Sequence, residues 1–103
     1  MRLTWSEPAV ANLVEIHDYI SSDSPGRADR FVQRLIAAAE PLVDFPLMGR
    51  LVPEGDGTPR EILFDPYRII YRVEGDEIYV LTVVHGARDL AALWERERDS
   101  ESR

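Results

Sequence analysis

The sequence predicts an α+β domain in which two antiparallel helices pack on an antiparallel β-sheet. Two segments with apolar residues at helical spacing lie in the first half of the chain, and three strand-like segments follow from residue 60 onward. Since 103 residues suffice for one domain, we expect a single domain that spans residues 1–103. The expected order of elements is β-α-α-β-β-β, followed by a short C-terminal helix.

A short strand and the first helix are expected at the N-terminus. Arg2 to Trp5 is strand-like, and Ser6 is a typical N-cap ahead of an early acid and an early proline. The helix should end near Ser21 and Ser22. Its buried stripe, at i, i+3, i+4 and i+7 spacing, is expected to comprise Val10, Leu13, Val14, His17 and Ile20, extended by Ala9 and Ile16.

The second helix should begin at Pro25, with Ser24 as its N-cap. Its apolar stripe is the strongest in the chain. Pro41 lies inside that stripe and lacks a backbone N–H group, so we expect a kink or a break between Ala37 and Pro41.

Beyond the helices, residues Phe45 to Pro59 are rich in proline and glycine and are expected to form one long, functional loop. A two-residue type II′ turn at Gly75-Asp76 should join the last two strands. The expected strands are Arg60 to Phe64, Tyr67 to Val73 and Glu77 to His85, and the final helix should run from Leu90 to about Arg98.

That turn predicts the register of the last hairpin. The expected opposite pairs on one apolar face are Val73 and Ile78, Tyr71 and Val80, Ile69 and Thr82, and Tyr67 and Val84. We expect the helices to cover that face. The other face, called the open face below, should carry Arg68, Ile70, Arg72, Tyr79, Leu81 and Val83, with His85 at its far end. A purely solvated face would not need three bulky aliphatic residues, so the C-terminal helix, a partner protein or both should cover part of it.

Charge and composition exclude several classes of function. The net charge is -7, from 19 acidic residues against 12 basic ones, and all the basic residues are arginines. An acidic chain is a poor general binder of nucleic acid, so we expect no direct DNA binding by this chain alone. With no cysteine, two histidines and no metal-ligand spacing, we expect neither a metal nor a cofactor. The sequence has no apolar run long enough to span a membrane and no signal peptide, so we expect a cytoplasmic protein.

The residues that could carry chemistry are few. Cleavage of a phosphodiester without a metal needs cations for the phosphate and groups that move protons. On that interpretation Arg68 would hold the phosphate, and His85 or a glutamate, Glu54 or Glu61, would move protons. The alternative, which we favour, is that the arginines pair with Glu61, Glu74, Glu77 or an acidic partner. His17 is expected to be a hydrogen-bonded residue of the core or its edge, and Tyr71, on the apolar face, is a weak catalytic candidate.

Three motifs occur in a fixed order: Phe45-Pro46-Leu47-Met48-Gly49-Arg50, Tyr67-Arg68-Ile69-Ile70-Tyr71-Arg72-Val73, and Val84-His85-Gly86-Ala87-Arg88-Asp89-Leu90. With Arg60-Glu61 and the order of elements, they make the chain resemble the RelE/ParE superfamily of type II toxin-antitoxin toxins. The resemblance extends from Trp5 to about Leu93.

The resemblance implies one of two activities. RelE-like members cut mRNA in the ribosomal A site, whereas ParE-like members inhibit DNA gyrase and lack a complete nuclease set. Arg68 matches an arginine of the nuclease branch, but the segment from His85 to Leu90 lacks that branch's typical C-terminal ending. Together with the acidic charge, this favours the ParE-like interpretation, although an inert member that binds only its antitoxin stays possible.

Either activity implies a cognate antitoxin as partner, lying over the open face or along the helices. The expected target is DNA gyrase, with the ribosome and mRNA as the alternative. A nuclease would use Arg68, His85 and Glu54 as catalytic residues, whereas a gyrase-binding toxin would have none. The residues expected to contact the partner or the target are Arg60, Arg68, Ile70, Arg72, Tyr79, Leu81, Val83, His85 and Arg88.

Overall fold

A computed structural model describes residues 1–86. The elements are β1 (Arg2–Trp5), α1 (Glu7–Ser21), α2 (Pro25–Ala39), a 3-10 turn (Glu40–Val43), β2 (Arg50–Leu51), β3 (Arg60–Phe64), β4 (Tyr67–Glu74) and β5 (Glu77–His85). The α+β class is therefore confirmed, as is the relative order of the six predicted elements that lie within residues 1–86. The C-terminal helix predicted from Leu90, and Arg88, lie outside the described residues. No helix within residues 1–86 is long and apolar enough to cross a membrane.

The strands form one five-stranded sheet in the order β1-β5-β4-β3-β2. β1 pairs with β5 in parallel, and every other pair is antiparallel. The two helices carry the chain from β1 across the sheet to β2 at its opposite edge, and β3, β4 and β5 then return to pair with β1. The sequence analysis missed β2, which lies inside the segment predicted to be only a loop. In this strand Arg50 pairs with Glu61 of β3.

The helix boundaries follow the predicted capping residues. The Ser6 hydroxyl accepts a hydrogen bond from the Ala9 N–H at 3.1 Å, and the Ser24 hydroxyl accepts one from Arg27 N–H at 3.3 Å. α2 ends at Ala39, and the chain continues as a 3-10 turn that contains Pro41. The predicted break before Pro41 is thus confirmed.

The buried stripe of α1 is narrower than predicted. Ala9, Leu13 and Ile16 are buried, but Val10 and Val14 are 47% and 55% exposed. The side of α1 that carries Ala9, Leu13 and Ile16 packs on the sheet and α2, whereas the two valines lie just beyond that contact. The prediction that Val10 and Val14 belong to the core is therefore wrong.

The helices cover the predicted face of the sheet, where Tyr67, Ile69, Tyr71 and Val73 pack in the two core clusters. The turn at Gly75 also has the expected geometry, with a positive φ of 56° at the glycine. The register is as predicted from the Val73 and Ile78 pair to the Tyr71 and Val80 pair.

Beyond Tyr71 the register shifts by one residue, because β5 bulges at Leu81. Ile69 pairs with Val83, Arg68 with Val84, and Tyr67 with His85. A slip of one residue moves side chains to the other face of the sheet. Val83 therefore packs under the helices, and Val84 joins Ile70, Leu81 and Val52 on the open face. The predicted positions of Val83 and of Val84 are both wrong.

The N-cap Ser6 and a side chain of α1 form hydrogen bonds to the bulge. The Ser6 hydroxyl donates to the carbonyl of Leu81 at 2.9 Å, and Asn12 Oδ1 accepts from the N–H of Val83 at 3.0 Å and from the Thr82 hydroxyl at 2.8 Å. These groups satisfy backbone atoms that the bulge takes out of the ladder. The residues joined by these three hydrogen bonds are 75, 70 and 71 positions apart in sequence.

Candidate functional site

A four-residue ion-pair network lies on the open face of the sheet. It consists of Arg68 on β4, Glu61 on β3, Arg50 on β2 and Glu54 in the β2–β3 loop (residues 52–59). In the strand ladder Glu61 lies opposite Arg50 on one side and Ile70 on the other. Because Arg68 is two residues before Ile70 on β4, the side chains of Arg68 and Glu61 are diagonal neighbours on one face.

The guanidinium of Arg68 is bound on two sides. Its Nη1 and Nη2 donate to the two carboxylate oxygens of Glu54, each at 3.0 Å, and its Nε donates to Glu61 Oε1 at 2.7 Å. The other oxygen of Glu61 accepts from Arg50 Nε at 2.5 Å. A bidentate pair of this kind is among the stronger hydrogen-bonded arrangements in proteins.

The network is buried at its centre and exposed at its ends. The side chain of Glu61 is 0% exposed and that of Arg68 is 9% exposed, whereas those of Glu54 and Arg50 are 31% and 59% exposed. The hydrogen bond from Arg68 lowers the pKa of Glu54, and the bonds to Glu54 and then Glu61 raise the pKa of Arg68 although burial opposes this. Each of the four side chains is hydrogen-bonded to at least one of the others, so the network joins the β2–β3 loop to the sheet.

The remaining arginines of the sheet also have protein partners. Arg72 pairs with Glu74 at 3.1 Å, and Arg2 pairs with Glu77. Arg60 donates to the backbone carbonyl of Gly49 at 2.8 Å. The expected pairing is therefore found for Arg68 with Glu61 and for Arg72 with Glu74, whereas Arg60 binds a backbone carbonyl and Glu77 pairs with Arg2.

The Phe-Pro-x-x-Gly-Arg motif is a structural anchor, a role that the sequence analysis missed. The buried Tyr71 hydroxyl donates to the carbonyl of Pro46 at 2.8 Å and accepts from the N–H of Gly49 at 3.0 Å. A Cβ atom at Gly49 would lie 2.6 Å from the carbonyl oxygen of Glu61 and 2.7 Å from the Tyr71 ring. Only glycine fits this approach, and Arg50 follows directly and reaches Glu61.

His85 lies away from the ion-pair network. It stands opposite Tyr67 in the ladder, and the two rings form an edge-to-face pair with centroids 5.8 Å apart. The ring of Phe31 on α2 contacts the same Tyr67 ring at 5.8 Å, so this pair is on the helix-covered face. The prediction that Arg68 and His85 share a face is wrong, because the bulge at Leu81 turns His85 over. The structure brings Glu54 and Arg68 together, but not His85.

His17 is at the edge of the core, as predicted. Its Nε2 lies 2.6 Å from Asp29 Oδ1 on α2, and its side chain is 36% exposed. Among residues 1–86, no three histidines, aspartates or glutamates are grouped as a metal site.

The residues predicted to bind a partner or target differ in accessibility. Ile70 and Val83 are 0% and 3% exposed, so they are already buried within this chain, as is Arg68. Tyr79, Leu81 and Arg60 are half-buried, and Arg72 and His85 are exposed.

Comparison with known proteins identifies the family. The model of the family described as ParE toxin of type II toxin-antitoxin system, parDE, matches residues 3–90. The chain belongs to this ParE toxin family. The resemblance to the RelE/ParE superfamily, stated from the motifs, is thereby confirmed.

Individual relatives of this ParE-family chain agree with the family model. Toxin RelE2 of Caulobacter vibrioides is 36% identical over 88 residues, which is 84% of this chain and 97% of the relative. Putative toxin Y4kP of Sinorhizobium fredii is 37% identical over 86 residues, or 82% of this chain and 86% of the relative. A solved structure, the chromosomal ParDE TA system from P. aeruginosa, superposes with a TM-score of 0.70 at 30% identity, and the match covers 82% of this chain and 95% of that chain.

Proposed function

We propose that this ParE-family toxin inhibits growth by binding DNA gyrase without cutting RNA, and that a cognate antitoxin neutralises it. The family model, whose description names ParE and parDE, supports this proposal. Gyrase inhibition is the activity that the ParE-like branch implies.

The partners of Arg68 are the main argument against RNA cleavage. Arg68, the candidate phosphate-binding cation, is 9% exposed, and its guanidinium is already bound by Glu54 and Glu61. A phosphate would have to displace a charge-assisted bidentate bond to reach it. His85, the candidate proton carrier, lies on the other face against Tyr67. His85 and Arg68 therefore face different sides of the sheet, and Glu54, the other candidate proton carrier, is itself hydrogen-bonded to Arg68.

The binding surface for the target is proposed among those predicted residues that the chain leaves accessible. On the open face these are Arg72, Tyr79 and Leu81, and at its margins Arg60 and His85. Arg88 belongs to the same predicted set and lies outside the described residues. Ile70 and Val83 are buried and would act only by supporting their neighbours.

The antitoxin is proposed to be encoded by the neighbouring gene. The similar solved structure is itself described as a ParDE TA system, which supports a two-component assembly. Because Ile70 and Val83 are already buried, the alternative in which the antitoxin lies along the helices is now favoured over burial of these two residues.

The second candidate function is ribosome-dependent cleavage of mRNA, which the name of the relative Toxin RelE2 favours. Induction of the toxin separates the two functions. Gyrase inhibition should cause DNA damage and filamentous cells and should block supercoiling by purified gyrase. Cleavage of mRNA should stop translation within minutes instead.

His85→Ala makes this test residue-specific. We expect it to change gyrase inhibition only modestly, because no bond is broken by the toxin. A nuclease would lose about 100 to 10,000-fold in cleavage when a proton-transfer group is removed. Loss of ribosome-dependent cleavage in His85→Ala, with thermal stability and antitoxin binding intact, would overturn the proposal in favour of the nuclease.

A further inference from the structure

The β2–β3 loop places a β-turn against the open face of the sheet, and this turn, residues 52–55, is called the strap below. The N–H of Gly55 donates to the carbonyl of Val52 at 3.0 Å, which closes the turn with Pro53 at its second position. A second backbone bond runs from the N–H of Val52 to the carbonyl of Pro59, also at 3.0 Å, and joins the two ends of the loop. The strap is therefore a formed unit with its own backbone hydrogen bonds.

Two side chains of different chemistry attach the strap to the open face. Val52 packs with Ile70 and Val84. Glu54, two residues further on, accepts from Nη1 and Nη2 of Arg68, each at 3.0 Å. Arg68 and Ile70 are two residues apart on β4, so these contacts are adjacent on one face. An aliphatic side chain and a carboxylate thus occupy neighbouring places on the sheet.

The apolar contact of the strap is separate from the main core. Val52, Ile70 and Val84 form a cluster of their own, whereas the two larger clusters lie on the helix-covered face. Small clusters of this kind are typical beneath long loops. The other exposed residues of the loop include Pro53, Asp56, Gly57 and Thr58. Since local opening of such a loop breaks few buried contacts, we expect the strap to lift while the sheet and helices stay folded.

Lifting of the strap would leave a guanidinium with an open edge. The Nε of Arg68 stays bonded to Glu61, so the edge formed by Nη1 and Nη2 becomes accessible. Without Glu54 the network holds two cations, Arg68 and Arg50, against the single carboxylate of Glu61. A guanidinium edge binds a carboxylate in bidentate form, and Ile70 beside it offers apolar surface. The uncovered surface therefore favours an anion that carries an aliphatic group.

We propose that the open face holds a recognition site for a carboxylate next to an aliphatic side chain, and that the strap fills this site in the free chain. The ligand is a turn of another protein that presents an aliphatic residue two positions before a glutamate, as Val52-Pro53-Glu54-Gly55 does. The strap competes with that ligand, because an external turn binds only the fraction of molecules in which the strap is lifted. The site is independent of the target proposed above.

Native-state hydrogen exchange measures whether the strap lifts on its own. The N–H of Val52 should exchange at least about tenfold faster than the slowest amides of β4 and β5, because only these require global unfolding. Glu54→Ala should speed exchange at Val52 at least about fivefold. The matched control is Glu74→Ala, which removes the acidic partner of Arg72 on the same sheet and should leave exchange at Val52 unchanged.

A peptide with the sequence of residues 51–57 is the probe for binding from outside. It is titrated into the full-length, isotope-labelled chain and followed by NMR, which also detects weak binding. Val52→Ala/Glu54→Ala, whose strap lacks both contacts, should bind the peptide at least about tenfold more tightly than the wild type, because its site is not already filled. A peptide with glutamine in place of the glutamate should lose most of this gain.

A lengthened loop tests the competition without changing either contact. Gly57 has a φ of 97°, and no atom lies within 4 Å of a Cβ built on it, so added residues have room there. Doubling the length of the loop with glycine and serine should lower the effective concentration of the strap about threefold. Peptide binding should become tighter by up to the same factor.

Tighter binding by the double variant that depends on the peptide's glutamate supports the site. A double variant that is folded by circular dichroism and binds no more tightly than the wild type overturns it. An equal gain with the glutamine peptide overturns the carboxylate site as well. If the double variant does not fold, the wild type and the lengthened loop decide: exchange at Val52 only through global unfolding, with no gain in peptide binding from the longer loop, contradicts a strap that lifts.

Discussion

Removal of Arg68 should destabilise the protein far more than removal of an exposed arginine. Arg68→Met leaves the Glu61 carboxylate, whose side chain is 0% exposed, with Arg50 as its remaining cation. Breaking a buried ion pair by removing one partner costs about 3 to 5 kcal/mol. A small domain is stable by only about 5 to 15 kcal/mol, so this variant should be close to unfolding.

Removal of both buried partners should restore most of that loss. In the Arg68→Met/Glu61→Met double variant no buried charge is left without a partner, and the ends of the network, Glu54 and Arg50, are exposed enough to be hydrated. Replacing a buried pair by apolar side chains of similar volume is often neutral or stabilising. We therefore expect the double variant to be more stable than either single variant, with a strong positive coupling in the double-mutant cycle.

Urea unfolding followed by circular dichroism and tryptophan fluorescence measures these differences, provided that the m-value stays constant. The matched control is Arg72→Met, since Arg72 is 44% exposed and pairs with an exposed Glu74. That pair should contribute about 0 to 1 kcal/mol. The reasoning is refuted if Arg68→Met is as mild as Arg72→Met, or if the losses of the two single variants simply add in the double variant.

Three further predictions concern the anchor motif and the network. Gly49→Ala should lower the free energy of unfolding by about 1 to 3 kcal/mol or more, because its Cβ would collide with rigid neighbours. The control Gly26→Ala on α2 should be tolerated, since a Cβ there has only an ordinary contact. Equal urea midpoints for the two variants would contradict this prediction. Tyr71→Phe leaves a buried N–H and carbonyl of the motif unpaired and should cost about 1 to 3 kcal/mol in the same assay. The lowered pKa of Glu54 means that its contribution is complete above the ordinary glutamate range, about 4.3, and is lost as the pH falls through the lower folded value. Glu54→Gln should therefore flatten the decline of stability in acid, and an unchanged decline would show that the bond to Arg68 is not its source.

The positions of both helices and of every strand except β2 followed from local sequence. Ser6 and Ser24 cap helices because a hydroxyl next to the helix can accept a bond from an N–H three residues on. Pro41 ends α2, and Gly75 allows the tight turn, because each restricts or frees its own backbone dihedral angles. The resemblance to the RelE/ParE superfamily was also visible in local sequence, because each of its motifs is a contiguous segment of the chain.

The assignment of side chains to faces, by contrast, was decided by contacts between distant residues. The bulge at Leu81 depends on Ser6 and Asn12, and nothing in the sequence of β5 marks it. It moves Val83 under the helices and separates His85 from Arg68, which changes the candidate site.

Tertiary structure also decided what each charged or apolar residue contacts. The sequence shows that Arg68 and Glu61 are near one another on adjacent strands, but the bidentate bond from Glu54 needs the path of the β2–β3 loop. Whether Val10 is exposed likewise depends on which part of α1 the sheet and α2 cover. The helical spacing of the apolar residues does not specify this. A local pattern determines backbone conformation because its interactions lie within a few residues, whereas burial and ion pairing depend on atoms brought together only when the whole chain folds.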